Sequence, residues 1–303
     1  MQNLLKNKYF AYLGALICAA LWGTAFPIIK LGYNEFNISQ SDIASKLLFA
    51  GERFAFAGVL VFIFGLIALR KPPIVRKSDF LPVAVLGVVQ TTLQYLFAYV
   101  GVGFTTAVNT SIITGTVSII SVVLASFFFK NDRLNVVKII GCLLGLIGIV
   151  YVNISDFSFY SVTFLGDIIV LFSAISGAGG NIITKKISGG KNPTSITACQ
   201  LFLGGMILLI IGLVFGGRTD LTNVSGMVIL FWLSLVSSVS FLLWTALLKY
   251  HPVSRITVFT MLVPIFGTVW SFILLGEEIL KIENLISLVL ICAGIVFVNI
   301  KTA

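Results

Sequence analysis

Ten runs of apolar residues dominate this chain. They lie at 9–29, 47–69, 80–102, 105–129, 136–154, 164–184, 194–215, 226–248, 253–275 and 282–300. A helix of roughly 20 apolar residues crosses the hydrocarbon core of a bilayer. Only 10% of the residues are charged, whereas a soluble domain carries about 25%. The strands of a barrel would alternate apolar and polar residues, which these runs do not. The sequence therefore predicts an all-α integral membrane protein with ten transmembrane helices in a lipid bilayer.

A sequence repeat divides the chain into halves. Residues 148–154 read Gly-Ile-Val-Tyr-Val-Asn-Ile and residues 294–300 read Gly-Ile-Val-Phe-Val-Asn-Ile, at a spacing of 146. At the same spacing, Thr114 aligns with Thr260 and Asp132 aligns with Glu278. We therefore predict two copies of one unit, residues 1–154 and residues 155–303, with five spans in each copy.

The basic residues indicate how the spans are oriented. If the N-terminus is cytoplasmic, 15 of the 20 basic residues fall on the cytoplasmic side, in agreement with the positive-inside rule. These residues are Lys6, Lys8, Arg70, Lys71, Arg76, Lys77, Lys130, Arg133, Lys138, Lys185, Lys186, Lys191, Lys249, Arg255 and Lys301. Both termini are therefore predicted to be cytoplasmic. Topology and contact with lipid headgroups explain the net charge of +9, so no nucleic-acid partner is expected.

The number of spans per copy has a consequence for symmetry. Because five is odd, the second copy enters the membrane from the opposite side, and the two repeats are inverted. Inverted repeats are typical of alternating-access carriers, whose halves exchange conformations to open either face. Gene duplication within a membrane scaffold is the alternative explanation.

Several short motifs lie in register with this layout. They are Leu21-Trp22-Gly23 in span one, Arg53 in span two, Asp132-Arg133-Leu134 after span four and Gly276-Glu277-Glu278 before span ten. In these motifs and in its duplicated layout, the chain resembles the EamA-type transporters of the drug/metabolite transporter superfamily. The resemblance covers nearly the whole chain. It implies a carrier in the cell membrane that moves small metabolites or drugs, often outward, through a central cavity. Ser118 stands where the family usually has a proline, which span nine keeps as Pro264.

Residues that weaken a helix lie at matching positions of the two copies. Pro27 removes a backbone donor within span one, and Gly179 and Gly180 lie at the corresponding depth of span six. Broken helices at matching positions indicate the binding site in such carriers. We therefore predict helix breaks with a gating role at Pro27, Gly179 and Gly180, and a further one at Pro264. The neighbouring residues predicted to line the cavity are Trp22, Thr24 and Asn181. Close packing of small residues is the alternative.

Two charged residues, Glu52 and Arg53, lie well inside span two. A charge within the bilayer costs roughly 2.5 kcal/mol or more, so it is generally paired, in contact with water or functional. Adjacent helix residues point about 100° apart, so these two do not form a simple ion pair. Arg53 is predicted to bind a carboxylate or phosphate, or to pair with another helix. Glu52 is predicted to bind an ammonium group or to carry a coupling proton. For both, snorkelling to the interface beside a structural partner is the alternative.

Span three carries polar side chains near its middle. Gln90 and Gln94, like Tyr95 and Tyr99, are four residues apart and share a helix face. Amides and phenols suit a polar zwitterion or a flat ring. The equivalent stretch of span eight holds serines with Trp244 beside them, so the repeats diverge where a substrate must be distinguished. The residues predicted to bind the substrate are Gln90, Gln94, Tyr95, Tyr99, Thr114 and Trp244. Packing in the core is the alternative.

The residue types that catalysis requires are scarce. The four cysteines lie inside apolar runs, His251 is the only histidine, and no acid cluster lies within a span. The sequence therefore predicts no metal site, no cofactor and no enzymatic activity. The sequence contains no Walker A motif, which would indicate that ATP hydrolysis drives transport. The predicted function is secondary transport of an amino acid, a related metabolite or a drug, by alternating access and in the direction of export. An organic-anion or nucleotide-sugar exchanger, a membrane-embedded lipid-modifying enzyme and a nontransporting scaffold are the alternatives.

Two small-residue patterns remain, Gly141-x-x-x-Gly145 in span five and Gly212-x-x-x-Gly216 in span seven. Such patterns let helices approach closely, either within one chain or between two chains. We expect packing within the chain, and hence a monomer or a weak homodimer.

Overall fold

The structure, a computed structural model, describes residues 2–105, 107–152, 164–276 and 282–300. These residues are helical almost throughout and include no strand. The α-helices are α1 (Gln2–Lys6), α2 (Lys8–Glu35), α3 (Ile43–Leu69), α4 (Lys77–Leu86), α5 (Gln94–Val102), α6 (Ala107–Gly115), α7 (Val117–Phe128), α8 (Val136–Val152), α9 (Phe164–Ser188), α10 (Pro193–Val214), α11 (Val224–Tyr250), α12 (Val253–Thr257), α13 (Val263–Leu275) and α14 (Ile282–Asn299). A π-helix lies at Gly87–Leu93, and 3-10 helices lie at Lys130–Asp132 and Val258–Leu262.

Nine helical stretches in the described part of the chain are long and apolar enough to cross a membrane. The tenth predicted span, α8, is apolar but shorter. The predicted all-helical membrane protein with ten spans is thereby confirmed. Spans three, four and nine each consist of two or three helical segments, which the apolar runs alone did not indicate.

Local sequence fixes where several of these helices begin and end. The backbone N–H of Tyr9 donates to Asn7 Oδ1 at the start of α2 (2.9 Å), and that of Ser45 donates to Asp42 Oδ1 at the start of α3 (2.9 Å). Such caps satisfy donors that the first turn of a helix leaves free. At the other end of a span, α13 is followed by Gly276 with a φ of 71°, a conformation that favours glycine.

Glycines bring α3 and α10, which are spans two and seven, into close contact. A β-carbon on Gly51 would lie 2.3 Å from the backbone nitrogen of Leu209. A β-carbon on Gly205 would lie 2.2 Å from the backbone nitrogen of Ala55. Only glycine fits at either position, so these residues set the separation between the two helix axes.

The small-residue pattern in span five packs inside the chain. A β-carbon on Gly141 would lie 2.7 Å from the carbonyl oxygen of Gly294, and one on Gly294 would lie 2.9 Å from the nitrogen of Gly145. The pattern therefore joins α8 to α14, as predicted. In span seven, Gly212 packs on α3. Gly216 has a φ of 83°, and a β-carbon on it would meet no atom of the described residues within 4 Å. The prediction of a packing pair at Gly212 and Gly216 is therefore wrong, because Gly216 serves the turn that follows α10.

Contacts between helices repeat when the two halves are exchanged. Spans two and seven (α3 and α10) pack on each other, and so do spans five and ten (α8 and α14). α2 packs on α11 and α13, and its counterpart α9 packs on α5 and α7. Two copies of one five-span unit would produce this pattern, and the division into two copies stays a prediction. The predicted boundary between residues 154 and 155 lies outside the described residues.

Two of the predicted helix breaks are absent. α2 is continuous through Pro27, and α9 is continuous through Gly179 and Gly180. A transmembrane helix tolerates a proline where its surroundings satisfy the freed backbone group. Pro264 does lie at an irregular point, since it stands in the first turn of α13 directly after a 3-10 helix.

The irregular segments that occur in both halves lie in spans four and nine. α6 ends at Gly115 and α7 begins at Val117, while the segment Val258–Leu262 separates α12 from α13. At the repeat spacing of 146, Thr116 aligns with Leu262. The matched weak points of the two halves are therefore in these spans, and not in spans one and six. The π-helix in span three is a further irregularity of the kind found at functional sites.

Candidate functional site

Arg53 is a buried cation in α3. The residue is 2% exposed, and its guanidinium carbon lies 5.0 Å from the centre of the Phe54 ring. Its Nε–H donates to Ser237 Oγ at 2.9 Å. Among the described residues, no other group accepts a hydrogen bond from the guanidinium and no carboxylate oxygen lies within 4.0 Å of it. A guanidinium presents five N–H donors in a planar fork, so most of its donors remain for a ligand.

The two tyrosines predicted from span three lie near Phe54, the neighbour of Arg53 in α3. The ring centre of Tyr95 is 4.3 Å from that of Phe54 and 6.4 Å from that of Tyr99. Arg53 interacts electrostatically with Tyr95 and also with Tyr33 of α2. We refer to this group as the Arg53 cluster, whose members are Tyr33, Arg53, Phe54, Tyr95, Tyr99 and Ser237. Sequence reasoning did not select Tyr33 or Ser237, because each becomes part of the cluster only through contacts between helices. It did not select Phe54, which follows Arg53 in α3, because a phenylalanine is common in an apolar span.

Aromatic rings connect the Arg53 cluster to the interior of the bundle. Phe54 contacts Phe241, Phe241 contacts Trp22, and Trp22 contacts Trp244, with ring centres 6.2, 5.7 and 4.9 Å apart. The indole Nε1–H of Trp22 is buried and has no hydrogen-bond partner among the described residues. The structure thus brings the predicted residues Trp22 and Trp244 together. Their rings form an apolar surface with one N–H donor, that of Trp22, to which no described residue bonds.

A buried amide network follows Trp244. The Oδ1 atom of Asn181 accepts from Trp244 Nε1 (2.9 Å) and from Gln90 Nε2 (3.4 Å), while Asn181 Nδ2 donates to Ser121 Oγ (3.1 Å). Gln90 Oε1 accepts from Gln200 Nε2 at 3.0 Å. The network joins five spans. Of its members, Gln200 and Ser121 were not predicted. Gln200 is the only amide side chain in span seven, which was an available signal, whereas Ser121 is one of several hydroxyl residues in span four.

The remaining cavity candidates make local contacts. The hydroxyl of Thr24 donates to the Leu21 carbonyl (2.6 Å), and that of Thr114 donates to the Thr110 carbonyl (2.7 Å). Both hydroxyls thus satisfy their own helix, which is a common use of threonine. The amide of Gln94 lies against Gly177, at 3.0 Å from the position of a β-carbon there. The role of these three residues in binding stays a prediction.

Glu52 is oriented away from the Arg53 guanidinium. Its Oε1 atom accepts from the hydroxyl of Thr219 at 2.6 Å, whereas Oε2 is buried without a hydrogen-bond partner. No cationic nitrogen of the described residues lies within 4.0 Å of this carboxyl group. The predicted absence of a simple Glu52–Arg53 pair is therefore confirmed. One carboxyl oxygen is left for a proton or a ligand.

Hydrogen bonds and an ion pair join helices at one face of the bundle. We call this face, at which α2 begins and α11 ends, the N-terminal face. Asp132, 3% exposed, accepts from the backbone N–H of Ser254 (2.9 Å), from its hydroxyl and from Lys138 Nζ (2.6 Å). Burial lowers the pKa of His251, so its ring is neutral at pH 7 and its Nε2–H donates to the Leu5 carbonyl (2.7 Å). Two cavities of about 530 and 210 Å³ open at this face. Neither borders the Arg53 cluster.

The arrangement of membrane spans around a buried polar centre is that of a membrane transport protein. Comparison with known proteins identifies the family of transport proteins. The chain belongs to the EamA-like transporter family, because the family model matches residues 9–154 and again residues 164–300.

Relatives across bacteria support this assignment. The uncharacterized transporter YvbV of Bacillus subtilis (strain 168) is 27% identical over 100% of this chain and 95% of its own length. A protein named "Probable amino-acid metabolite efflux pump" from Salmonella typhimurium is 24% identical over 94% of this chain and 93% of its own. A protein of the same name from Escherichia coli (strain K12) is 23% identical over the same shares. A crystal structure of a protein with 16% identity has the same fold, with a TM-score of 0.79 over 97% of each chain.

The adjacent glycines of α9 allow a matched test of the predicted hinge. A β-carbon on Gly179 would lie 3.7 Å from Val89 Cγ1, which is ordinary contact, whereas one on Gly180 would lie 2.5 Å from the β-carbon of Gln90. Gly179→Ala is therefore expected to keep or raise stability, by up to about 1 kcal/mol from helix propensity. Gly180→Ala is expected to lower it by about 1–3 kcal/mol through overpacking. The thermal unfolding midpoint measures both variants. Slow transport by a stable Gly179→Ala protein would instead indicate that α9 must bend there.

Proposed function

We propose that this chain is a secondary carrier that exports an amino acid or a related carboxylated metabolite by alternating access. The observation that carries the proposal is Arg53, a buried guanidinium with one protein acceptor, Ser237 Oγ, in the described part of the chain. A buried cation without a counterion is costly. A substrate carboxylate removes that cost through two parallel, charge-assisted hydrogen bonds.

The surroundings of Arg53 support a substrate that is part apolar. The Phe54 ring lies against the guanidinium and contacts the ring of Tyr95, and the indoles of Trp22 and Trp244 continue the aromatic surface toward the amide network. Aromatic rings offer a large apolar area with few rotatable bonds. The names of the two enterobacterial relatives support the choice of an amino acid metabolite and of export. A drug with a carboxylate and a ring system satisfies the same features.

We propose in addition that the protein lies in the cell membrane with both termini in the cytoplasm and with inverted halves. The distribution of basic residues supports this orientation. In this orientation the N-terminal face, at which Asp132 bonds to Ser254 and Lys138, is the cytoplasmic side. Arg53 lies nearer to the start of α3 at Ile43 than to its end at Leu69, and hence nearer to the external side.

A second candidate function is exchange of a more highly charged organic anion. The observation that favours it is Lys46, which is 8% exposed and lies with its Nζ atom 5.5 Å from the centre of the Tyr33 ring. Tyr33 thus interacts with two cations, Lys46 and Arg53. Lys46 Nζ also donates to the Gln40 carbonyl (2.5 Å), so part of its binding capacity is used. For this reason a single carboxylate is the first choice.

A ligand screen followed by flux measurement tests the proposed function. The purified protein would be screened by thermal shift against amino acids, amines and sugar phosphates, and each hit would then be assayed for flux in liposomes. The expected result is stabilisation by one or more carboxylated amino acids, with saturable flux of the same compounds. Stabilisation by sugar phosphates alone would favour the second candidate. Chemical conversion of a ligand without flux would overturn the assignment as a carrier.

Glu52 provides a test of energy coupling. We propose that Oε2, which has no hydrogen-bond partner among the described residues, carries a proton during transport. Glu52→Gln is then expected to abolish the response of flux to a pH gradient while exchange of substrate continues. Glu35→Gln is the matched control, because Glu35 is exposed at the end of α2 on the same side of the bundle. An unchanged pH response in Glu52→Gln would remove Glu52 from the coupling mechanism.

A further inference from the structure

The larger cavity at the N-terminal face lies between three elements. Its volume is about 530 Å³, and it is bordered by the end of α7, the end of α9 and the connection from α11 to α12. The residues that define its chemistry are Phe128, Lys130, Asp132, Lys185, Tyr250 and Val253. The cavity is separate from the Arg53 cluster and shares no residue with it.

Lys185 gives this cavity a half-buried positive charge. Its Nζ atom donates to the carbonyls of His251 (2.9 Å) and Lys249 (3.3 Å). An ammonium has three donors, so one N–H remains after these bonds. No carboxylate oxygen of the described residues lies within 4.0 Å of Nζ. Asp132 also borders the cavity and interacts electrostatically with Lys185, but its direct ion pair is with Lys138. Lys130 borders the cavity as well, so its two lysines outnumber its one carboxylate and suit an anion.

Two exposed aromatic residues end α7, and one of them, Phe128, borders the cavity. Phe127 and Phe128, at the end of α7, are 79% and 60% exposed. In a membrane-spanning helix, exposed aromatic residues at the end of the apolar run lie at the boundary between acyl chains and headgroups. Lys130 follows them and is also exposed. An anion that reaches Lys130 and Lys185 from the bilayer would thus keep its apolar part against the two phenylalanines.

We propose that this cavity binds the phosphate of an anionic phospholipid, with Lys185 and Lys130 as its cationic partners and the acyl chains over Phe127 and Phe128. Basic pockets between membrane helices are suited to such headgroups. At the same face, Asp132 after α7 bonds to Ser254 of α12 and to Lys138 of α8, and Lys185 of α9 bonds to the His251 carbonyl in the α11–α12 connection. A bound lipid is therefore expected to stabilise the contacts between helices at the N-terminal face.

A lipid titration with a matched pair of variants tests the proposal. The full chain in detergent would be titrated with dioleoyl phosphatidylglycerol or dioleoyl phosphatidylcholine, and the thermal unfolding midpoint would give an apparent affinity. Lys185→Gln is compared with Lys186→Gln, which removes the same charge from the next residue, an exposed one. We expect a preference for phosphatidylglycerol that weakens on the order of tenfold in Lys185→Gln, the effect of one lost charge-assisted bond. We expect no such change in Lys186→Gln.

Three outcomes would overturn the proposal. Equal weakening in Lys185→Gln and Lys186→Gln would show diffuse attraction to a basic surface. Equal stabilisation by the two lipids would show that the headgroup charge is not recognised. Full competition by inorganic phosphate would show a site for a free anion. If Lys185→Gln does not fold, Lys130→Gln and Lys185→Arg replace it, with weaker binding expected for the first and retained binding for the second; any other result for this pair overturns the proposal.

Discussion

Replacing Arg53 by glutamine is expected to weaken the binding of a carboxylated substrate by about two orders of magnitude. Two hydrogen bonds between a guanidinium and a carboxylate contribute roughly 1.5 kcal/mol or more each, and about 1.4 kcal/mol corresponds to tenfold in affinity. The stability of the protein is not expected to fall, because the substitution removes a buried cation that has no counterion among the described residues. The KM for flux in liposomes and the thermal unfolding midpoint measure the two effects separately.

Two further variants separate the role of Arg53 from that of net charge. Arg218→Gln loses the same charge from an exposed position close to the start of α3, where the Arg218 backbone N–H donates to Ser45 Oγ. It is expected to transport like the wild type. Arg53→Lys keeps the charge but lacks the planar fork, so an intermediate loss of about tenfold is expected. A wild-type KM in Arg53→Gln would contradict the assignment of Arg53 as the anion site.

Replacing Asp132 by alanine is expected to have the largest effect on stability. The substitution leaves Lys138, which is 14% exposed, without its carboxylate partner and leaves the backbone N–H of Ser254 without a cap. Removing one member of a buried ion pair typically costs about 3–5 kcal/mol. The free energy of unfolding, measured by SDS titration in mixed micelles, is expected to fall by an amount in this range.

The control for Asp132 is an aspartate that bonds only within its own turn. Asp220 accepts from the hydroxyl and the N–H of Thr222 and is exposed, so Asp220→Ala is expected to leave stability unchanged. Combining Asp132→Ala with Ser254→Ala is expected to cost less than the sum of the two single variants, because both remove the same contact. Equal effects of Asp132→Ala and Asp220→Ala, or simple additivity with Ser254→Ala, would show that the N-terminal face is held by other contacts.

The membrane spans could be predicted because the apolar runs leave few alternatives. A run such as 47–69 is too long for the interior of a soluble domain and fits the bilayer. Where a helix continues beyond its apolar run, the prediction from the sequence underestimated the length of the helix. Span one, predicted over 9–29, is the helix Lys8–Glu35, since the hydrocarbon core limits the apolar segment and not the helix.

The irregular helical segments could not be predicted from local sequence. The π-helix Gly87–Leu93 lies where a β-carbon on Gly87 would meet the carbonyl oxygen of Gln200 at 2.8 Å, a contact between residues distant in the chain. Pro27 was expected to break span one, but α2 passes through it. Gly180 was expected to weaken span six, but it is glycine because Gln90 packs against it. In both cases packing between helices outweighs local propensity.

Members of the candidate site could be selected from the sequence where a residue type is conspicuous within an apolar span. Arg53, Trp22 and Trp244 are of this kind, and the structure connects them through the aromatic contacts that begin at Phe54. Ser237 was less conspicuous, because a serine hydroxyl commonly bonds to its own helix. Ser237 does donate to the Leu233 carbonyl and also accepts from Arg53. Only the arrangement of α3 beside α11 reveals the second bond.

Counterflow in liposomes tests the central claim most directly, namely that this chain is a carrier whose anion site is Arg53. Liposomes containing the protein would be loaded with an unlabelled amino acid identified in the ligand screen and diluted into a trace of the labelled compound. An alternating-access carrier is expected to accumulate label transiently above its equilibrium level, and Arg53→Gln is expected to lose this accumulation while Arg218→Gln keeps it. Accumulation that is absent in the wild type, or undiminished in Arg53→Gln, would contradict the account.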